Sequence, residues 1–259
     1  MTYFLGIDVG SGYTKAIVCD GMQPVSRSII PSGGDYKAAA LTAVGQALDK
    51  IGLAQDDISR TRATGYGAEM VDFAGGTSSD IVCHATGIHQ TFPMAGVLVD
   101  IGAHFSKAIR LDSGGRVVNF VMNEKCAGGS GKFLQIIARI LHIDIGEIGP
   151  LSLIATAPVA FTTNCSVFAE SEAVSRIAEG ALPADILAGV HNAMASKIVN
   201  LITRVGLTQE IAVTGGGAKD TGLVKAIETE LGSAEVRVAE EPRCTAAYGA
   251  ALLARLAGN

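Results

Sequence analysis

Two stretches of this chain, 92 residues apart, carry the same pattern. Ile7-Asp8-Val9-Gly10-Ser11-Gly12-Tyr13-Thr14-Lys15-Ala16-Ile17 aligns without a gap on Val99-Asp100-Ile101-Gly102-Ala103-His104-Phe105-Ser106-Lys107-Ala108-Ile109. The Asp, Gly, Lys, Ala and Ile positions are identical, Tyr13 faces Phe105, and Thr14 faces Ser106. A duplication of this kind restricts the chain to folds built from two related halves. Each copy reads as an apolar strand (Tyr3 to Ile7; Val97 to Ile101), a glycine turn, and a second strand (Thr14 to Cys19; Ser106 to Leu111) that closes on an Asp/Gly turn. The result is a hairpin that grips something in its turn.

Between and after the hairpins, helical periodicity dominates Lys37 to Ile51, Lys132 to Leu141, Ser166 to Glu179, Ala184 to Val205 and Gly222 to Leu231. A further strand, Ile211 to Thr214, switches at Gly215-Gly216-Gly217, and an Ala-rich helix, Thr245 to Leu256, ends the pattern. Hairpins alternating with helices give an α/β protein. Two related halves predict two domains facing a cleft, and the repeat places the boundary near Pro93.

Of the 259 residues, 48% are hydrophobic and 17% charged, enough to bury a substantial core. The net charge is −5 with no Lys/Arg run, so neither nucleic acid nor an anionic membrane is the expected partner. The start lacks the pattern of a secretory leader and no apolar run reaches ~20 residues, so a soluble cytoplasmic protein is expected. Five scattered cysteines (Cys19, Cys83, Cys126, Cys165, Cys244) do not make a disulfide framework and are expected as thiols or metal ligands.

The Gly10-Ser11-Gly12 turn leaves backbone N–H groups to converge on phosphate oxygens, because glycine has no Cβ to block the approach. Asp8 and Asp100, at the ends of their strands, are expected to face each other across the cleft. Two carboxylates there suit a hydrated Mg2+, and one of them can orient an attacking water. Lys15 is placed to neutralise phosphate charge, Thr14 belongs to the same loop, and Gly102-Ala103 form the second loop. The Gly215-Gly216-Gly217 turn lets the backbone lie against an adenosine. An Asp before a Gly turn is also common in hairpins that bind nothing; the symmetric pair followed by a triple-Gly turn is what favours ATP. A Walker-type loop is absent.

This order of two phosphate loops and a late Gly-Gly-Gly turn resembles the superfamily of hexokinase, actin and heat-shock chaperone ATPases, over the whole chain. The resemblance implies duplicated ribonuclease-H-like domains, each five-stranded, with the nucleotide between them and the terminal helix returning to the first. It divides the chain into 1–93 with 244–259, and 94–243.

Cys126 lies in Asn123-Glu124-Lys125-Cys126-Ala127-Gly128-Gly129-Ser130-Gly131-Lys132-Phe133, a glycine-rich turn that opens a helix, and Cys165 lies where Val167-Phe168-Ala169-Glu170-Ser171-Glu172 begins another. Helix N-termini favour thiolate, the form that binds iron. The bland alternative for each is a small buried residue, which fits Cys19, Cys83 and Cys244. Two ligands per chain cannot fill a cubane, which wants four, whereas a two-fold dimer would.

Both cysteine segments, with Ala63-Thr64-Gly65-Tyr66-Gly67 and Cys83-His84-Ala85, closely resemble the activator ATPases of 2-hydroxyacyl-CoA dehydratases and the ATPase subunits of benzoyl-CoA reductases. The resemblance implies that Cys126 and Cys165 hold one 4Fe-4S cluster at a subunit interface, in a homodimer or a heterodimer with a homologous ATPase subunit. It also implies ferredoxin or flavodoxin as electron donor and a CoA-thioester dehydratase or reductase as acceptor. Opening and closing of the cleft would then change the surroundings of the cluster; lowering a one-electron potential by ~300 mV costs roughly 7 kcal/mol, a load suited to a nucleotide.

The second loop departs from the activators, where Gly-Gly-Gln-Asp usually follows Asp-Ile. Here Gly102 is followed by Ala103, His104 and Phe105, which looks more like the ring-reductase subunits and leaves open which group positions the hydrolytic water. His104 is one candidate, and a surface histidine without a role is the other. A sugar or N-acetylsugar kinase with Asp100 as base and an actin-like filament or chaperone module are the rivals. Neither accounts for Cys126 and Cys165.

Overall fold

The computed structural model describes residues 1–123, 129–161 and 166–257. The chain divides into two compact units: Met1–Ala95 with Leu111–Val118 and Ala239–Asn259, and Gly96–Arg110 with Asn119–Val238.

The first unit is built on strands β1 (Tyr3–Val9), β2 (Tyr13–Asp20), β3 (Gln23–Pro31) and β4 (Ile58–Thr64), in the order β3-β2-β1-β4. β1 runs antiparallel to β2 and parallel to β4. Side chains alternate across a strand. Leu5, Ile7, Val9, Ala16 and Val18 therefore pack together with Ala40, Ala43, Val44 and Ala47 of helix α1 (Tyr36–Asp49). Ile17 and Cys19 pack instead with Ala247 and Ala251 of the C-terminal helix, Thr245–Leu256.

That helix lies almost on the sheet. A Cβ on Gly6 would stand 1.9 Å from the Ala247 carbonyl oxygen, and one on Gly249 would stand 1.8 Å from the carbonyl of Cys83 in helix α2 (Asp80–Thr91). Backbone can approach this closely only where side chains are absent, which is why Ala and Gly crowd the Thr245–Leu256 segment.

The second unit has strands β5 (Val97–Ile101), β6 (Ser106–Leu111), β7 (Val117–Met122), β8 (Glu210–Thr214) and β9 (Glu235–Val238), in the order β7-β6-β5-β8-β9. Its helices are α3 (Gly131–Ile140), α4 (Ile148–Ser152), α5 (Ser166–Ala178), α6 (Pro183–Val205) and α7 (Thr221–Leu231), so that the terminal helix is α8. Val97, Val99, Ile101, Ile211 and Val213 form one core with Ile137, Ile186, Met194, Ile198 and Ile227. Within it, His191 of α6 places Nδ1 2.9 Å from Ser152 Oγ and Nε2 3.0 Å from Asp220 Oδ2, although the second pair is not aligned as a hydrogen bond. Ser152 Oγ also reaches the Gly149 carbonyl at 2.8 Å, and all three residues are buried, so the set joins α4, α6 and the start of α7.

Three features differ from the sequence-based expectation. The resemblance implied five strands in each half, whereas the described residues of the first unit hold four and an isolated parallel bridge, Ala63 to Thr77. The chain turns through Gly75 and Gly76, whose φ is +154°, and then starts α2 with Ser79 capping the Val82 N–H, which leaves no length for a fifth strand. β3 was hidden because two inward positions are serines: Ser26 and Ser28 donate to the Ala47 and Ala43 carbonyls of α1, each at 2.6 Å. Helix α2 also went unread, since His84, Gly87 and His89 break its apolar stripe.

Cys19, Cys83 and Cys244 are buried free thiols. Burial pushes Cys19 and Cys244 up to about 12 and Cys83 up to about 11, from 9.0 for an ordinary thiol. In the unfolded chain they ionise near the ordinary value, so above pH 9 the unfolded state binds fewer protons than the folded one. Stability is therefore present below pH 9 and falls as pH rises from 9 toward 12. Urea titrations should show this decline, and it should shrink in Cys19→Ala; at pH 8 the three thiols should resist iodoacetamide until the chain is unfolded. Gly6→Ala should lower unfolding free energy by about 1–3 kcal/mol in the same titration, because the new methyl overlaps the Ala247 carbonyl.

Candidate functional site

Each half of the sequence repeat folds into the same local structure, one in each unit. Asp8 pairs with Lys15 across the β1–β2 hairpin, and Asp100 pairs with Lys107 across β5–β6. Directly opposed residues of an antiparallel pair project to the same face, which brings carboxylate and ammonium together. Lys15 Nζ stands 2.8 Å from Asp8 Oδ2, and Lys107 Nζ stands 3.6 Å from Asp100 Oδ2. Asp8, Asp100 and Lys107 are buried, and Lys15 is mostly covered. Removing one partner of such a pair leaves a buried charge uncompensated.

The turns close in the same way, with Gly10 N–H donating to the Tyr13 carbonyl at 3.1 Å and Gly102 N–H to the Phe105 carbonyl at 3.0 Å. Their carbonyls are held from behind. In the first loop, Ser32 Oγ donates to Gly10 O at 2.6 Å and the Ser32 N–H to Gly12 O at 3.1 Å. In the second, the N–H groups of Gly131 and Lys132, at the start of α3, donate to Gly102 O and Ala103 O, both at 2.9 Å. Carbonyl and amide of a trans peptide point in opposite directions, so the N–H groups of Ser11, Tyr13, Ala103 and His104 are directed away from these supports. That arrangement can hold an anion.

A second repeat emerges at the neighbouring strands. Asp8 lies in register with Thr64 at the end of β4, and Asp100 with Thr214 at the end of β8. Thr64-Gly65-Tyr66-Gly67-Ala68 is thus the structural partner of Thr214-Gly215-Gly216-Gly217-Ala218. Gly65 and Gly215 have φ of +90° and +84°, and a Cβ on either would stand 2.4 Å from Oδ1 of Asp8 or Asp100. Glycine is required twice over, by the left-handed backbone and by the carboxylate against it. Gly67 and Gly217 press in the same manner on Val9 and Ile101. Gly216, by contrast, is exposed with open space around it, whereas Tyr66 at the matching position is an exposed ring set edge-on to Tyr36, with centroids 5.9 Å apart.

The residues singled out in the sequence therefore fall into distinct places. Asp8, Gly10, Ser11, Gly12 and Lys15 share the first loop; Asp100, Gly102, Ala103 and the Gly215 to Gly217 turn share the second unit's site. Thr14 is buried, its hydroxyl 2.8 Å from Ser32 Oγ, and braces the loop from inside. His104 is exposed on the second loop, its ring 6.5 Å from that of Phe105. Cys126 and Cys165 lie outside the described residues. Lys107, Gly65 and the bracing serines Ser32 and Ser106 were not selected from the sequence, although Lys107 is one of the repeat's identities. Among the described residues no group of three or more His, Cys, Asp or Glu is placed to hold a metal ion, and no helix is long and apolar enough to cross a membrane.

Known proteins match this architecture throughout. The activator of lactoyl-CoA dehydratase from Anaerotignum propionicum is 41% identical over 97% of both chains. A benzoyl-CoA reductase component from Thauera aromatica is 32% identical over 100% of this chain and 93% of its own length. The structure of the 2-hydroxyisocaproyl-CoA dehydratase activator from Clostridium difficile, with bound ADPNP, superposes with a TM-score of 0.95 at 35% identity, covering 99% of this chain and 95% of that one. A glucokinase of the ROK family from Streptomyces griseus shares the fold alone, with a TM-score of 0.62 at 13% identity over 98% of this chain and 99% of that one. The duplicated α/β architecture is accordingly that of the hexokinase-like ATPases. Residues 5–254 match the family pattern from the first strand to the last helix, and the chain belongs to the BadF/BadG/BcrA/BcrD ATPase family.

Proposed function

We propose that this chain hydrolyses ATP to deliver a low-potential electron to an enzyme acting on a CoA thioester, a 2-hydroxyacyl-CoA dehydratase or a benzoyl-CoA-type reductase. The observation that carries the ATP half is the duplicated loop, in which a buried carboxylate is fixed between a lysine and a positive-φ glycine in each unit. Membership of an ATPase family and the names of the similar proteins support the rest. Identity to the lactoyl-CoA activator exceeds that to the reductase component, which favours a dehydratase as acceptor even though the Ala103-His104-Phe105 loop departs from the activators.

The amides of both loops and Lys15 would bind phosphate oxygens. Asp8 and Asp100 would hold Mg2+ through its waters or orient the attacking water. Exposed Gly216, with no side chain to obstruct it, is the part of its turn best placed for the adenosine. His104 lies on the second loop and is the candidate for contact with the water.

Cys126 and Cys165 would hold one 4Fe-4S cluster together with the same pair from a second, identical or homologous subunit. The chemistry of the other three thiols supports this division, since Cys19, Cys83 and Cys244 are buried and resist ionisation. When bound, a cluster of this type supplies one-electron transfer at a potential tuned by exposure and hydrogen bonding. Ferredoxin or flavodoxin would be the donor. The location in the cytoplasm is part of the same reading.

Anaerobic purification with iron and sulfide counting tests it. We expect four irons per dimer, and a visible absorption band that bleaches on dithionite. Cys126→Ser or Cys165→Ser should lose the iron and keep ATP binding. Asp8→Asn should keep the iron and lose ATP hydrolysis by ~100-fold or more. A colourless anaerobic protein that phosphorylates sugars would replace this reading with a kinase.

A further inference from the structure

The two Asp–Lys pairs occupy equivalent positions, but their ammonium groups do not reach the same place. Lys15 Nζ comes within 3.1 Å of where a Cβ of Gly10 would stand, so it extends past Asp8 to the turn itself. At the matching point on Gly102 the neighbours within 4 Å are Phe105 O, at 2.9 Å, and Asp100 Oδ2, at 3.5 Å, and Lys107 is not among them. Lys107 is set back on the strand, buried, 3.6 Å from Oδ2.

The carboxylate of Asp100 is accordingly bounded on both oxygens. Oδ1 lies against Gly215, where no Cβ fits, and Oδ2 is turned toward Lys107. The strand that carries Lys107 is itself fixed at its start: Ser106 Oγ donates to the Gly129 carbonyl, and Ser106 O accepts from the Asn123 N–H at 2.9 Å. A buried ammonium on a braced strand is suited to holding a carboxylate in one orientation, because few rotamers remain to either group.

We infer that Lys107 is a positioning residue for ATP hydrolysis, holding the Asp100 carboxylate in its working orientation, while Lys15, at the turn, serves phosphate binding. This rests on the nucleotide reading proposed above. In this role Lys107 acts through Asp100. Misplacement of a reacting group by about 1 Å costs on the order of 100-fold in rate, so the two lysines should separate in steady-state kinetics.

The test measures MgATP hydrolysis by the purified whole chain and its variants, with melting temperatures recorded alongside. Lys107→Met should lower kcat by ~10- to 100-fold with KM for ATP within ~3-fold of wild type, and Lys107→Arg should restore kcat to within ~3-fold. Lys15→Met should instead raise KM. The inference is overturned if Lys107→Met keeps the wild-type kcat, if its loss lies in KM, or if Lys107→Arg melts like wild type yet is as slow as Lys107→Met. Should Lys107→Met not fold, Lys107→Gln is judged by the same criteria, and a Lys107→Arg that folds but hydrolyses slowly still overturns it. Wild-type protein that hydrolyses no ATP sinks the nucleotide reading itself, an outcome distinct from any of these.

Discussion

A carboxylate held between a cross-strand ammonium and a glycine that has no room for a side chain is the arrangement on which both units turn. The hairpin supplies the ammonium, since Lys15 and Lys107 stand opposite Asp8 and Asp100 in register. The parallel neighbour strand supplies the glycine, at the point where β4 or β8 ends and the backbone enters the left-handed region. Neither strand pair alone would orient the carboxylate. The antiparallel hairpin fixes Oδ2, and the parallel crossover strand fixes Oδ1.

The same economy of side chains governs the rest of the molecule. Gly6, Gly87 and Gly249 allow α8 to lie against β1 and α2 at backbone contact, and Gly189 lies against the Val159 carbonyl with 1.9 Å where a Cβ would be. Such contacts rule out all other residues, so they fix the position of one element on another more tightly than apolar packing does. The support of the second loop by Gly131 and Lys132 belongs with them. It attaches the N-terminus of α3, which follows the Cys126 segment in sequence, to the loop that carries Asp100.

Much of the site was readable before any coordinates, because its chemistry lies in short, gapless patterns. The offset of 92 residues aligned Asp8 to Asp100 and Lys15 to Lys107. The second repeat escaped, because Thr214-Gly215-x-Gly217-Ala218 follows Thr64-Gly65-x-Gly67-Ala68 at an offset of 150, after helices that differ in number and length between the halves. A fixed period cannot be seen where insertions intervene. Ser32 had no signal, since a serine that braces a carbonyl looks like any other serine in a turn, and the match of Ser106 to Thr14 in the repeat did not disclose its bond to the Gly129 carbonyl. The His191, Ser152 and Asp220 set was equally silent, its members being 29 or more positions apart and brought together only by the packing of three helical elements.

What the sequence determined by itself was the duplication, the α/β class, the strands and turns that carry the two aspartates, and the family to which the cysteine segments point. The first three follow from local spacing, where side-chain period and glycine placement act within a few residues; the family rests on the resemblance of whole segments. Only the tertiary structure decided that Gly65 and Gly215 wall the carboxylates, that Thr14 faces inward, that the fifth strand of the first unit shrinks to one bridge, and that Lys107 stands back where Lys15 reaches forward. Each of these depends on distances between segments far apart in the chain, which packing and register set and no local pattern records.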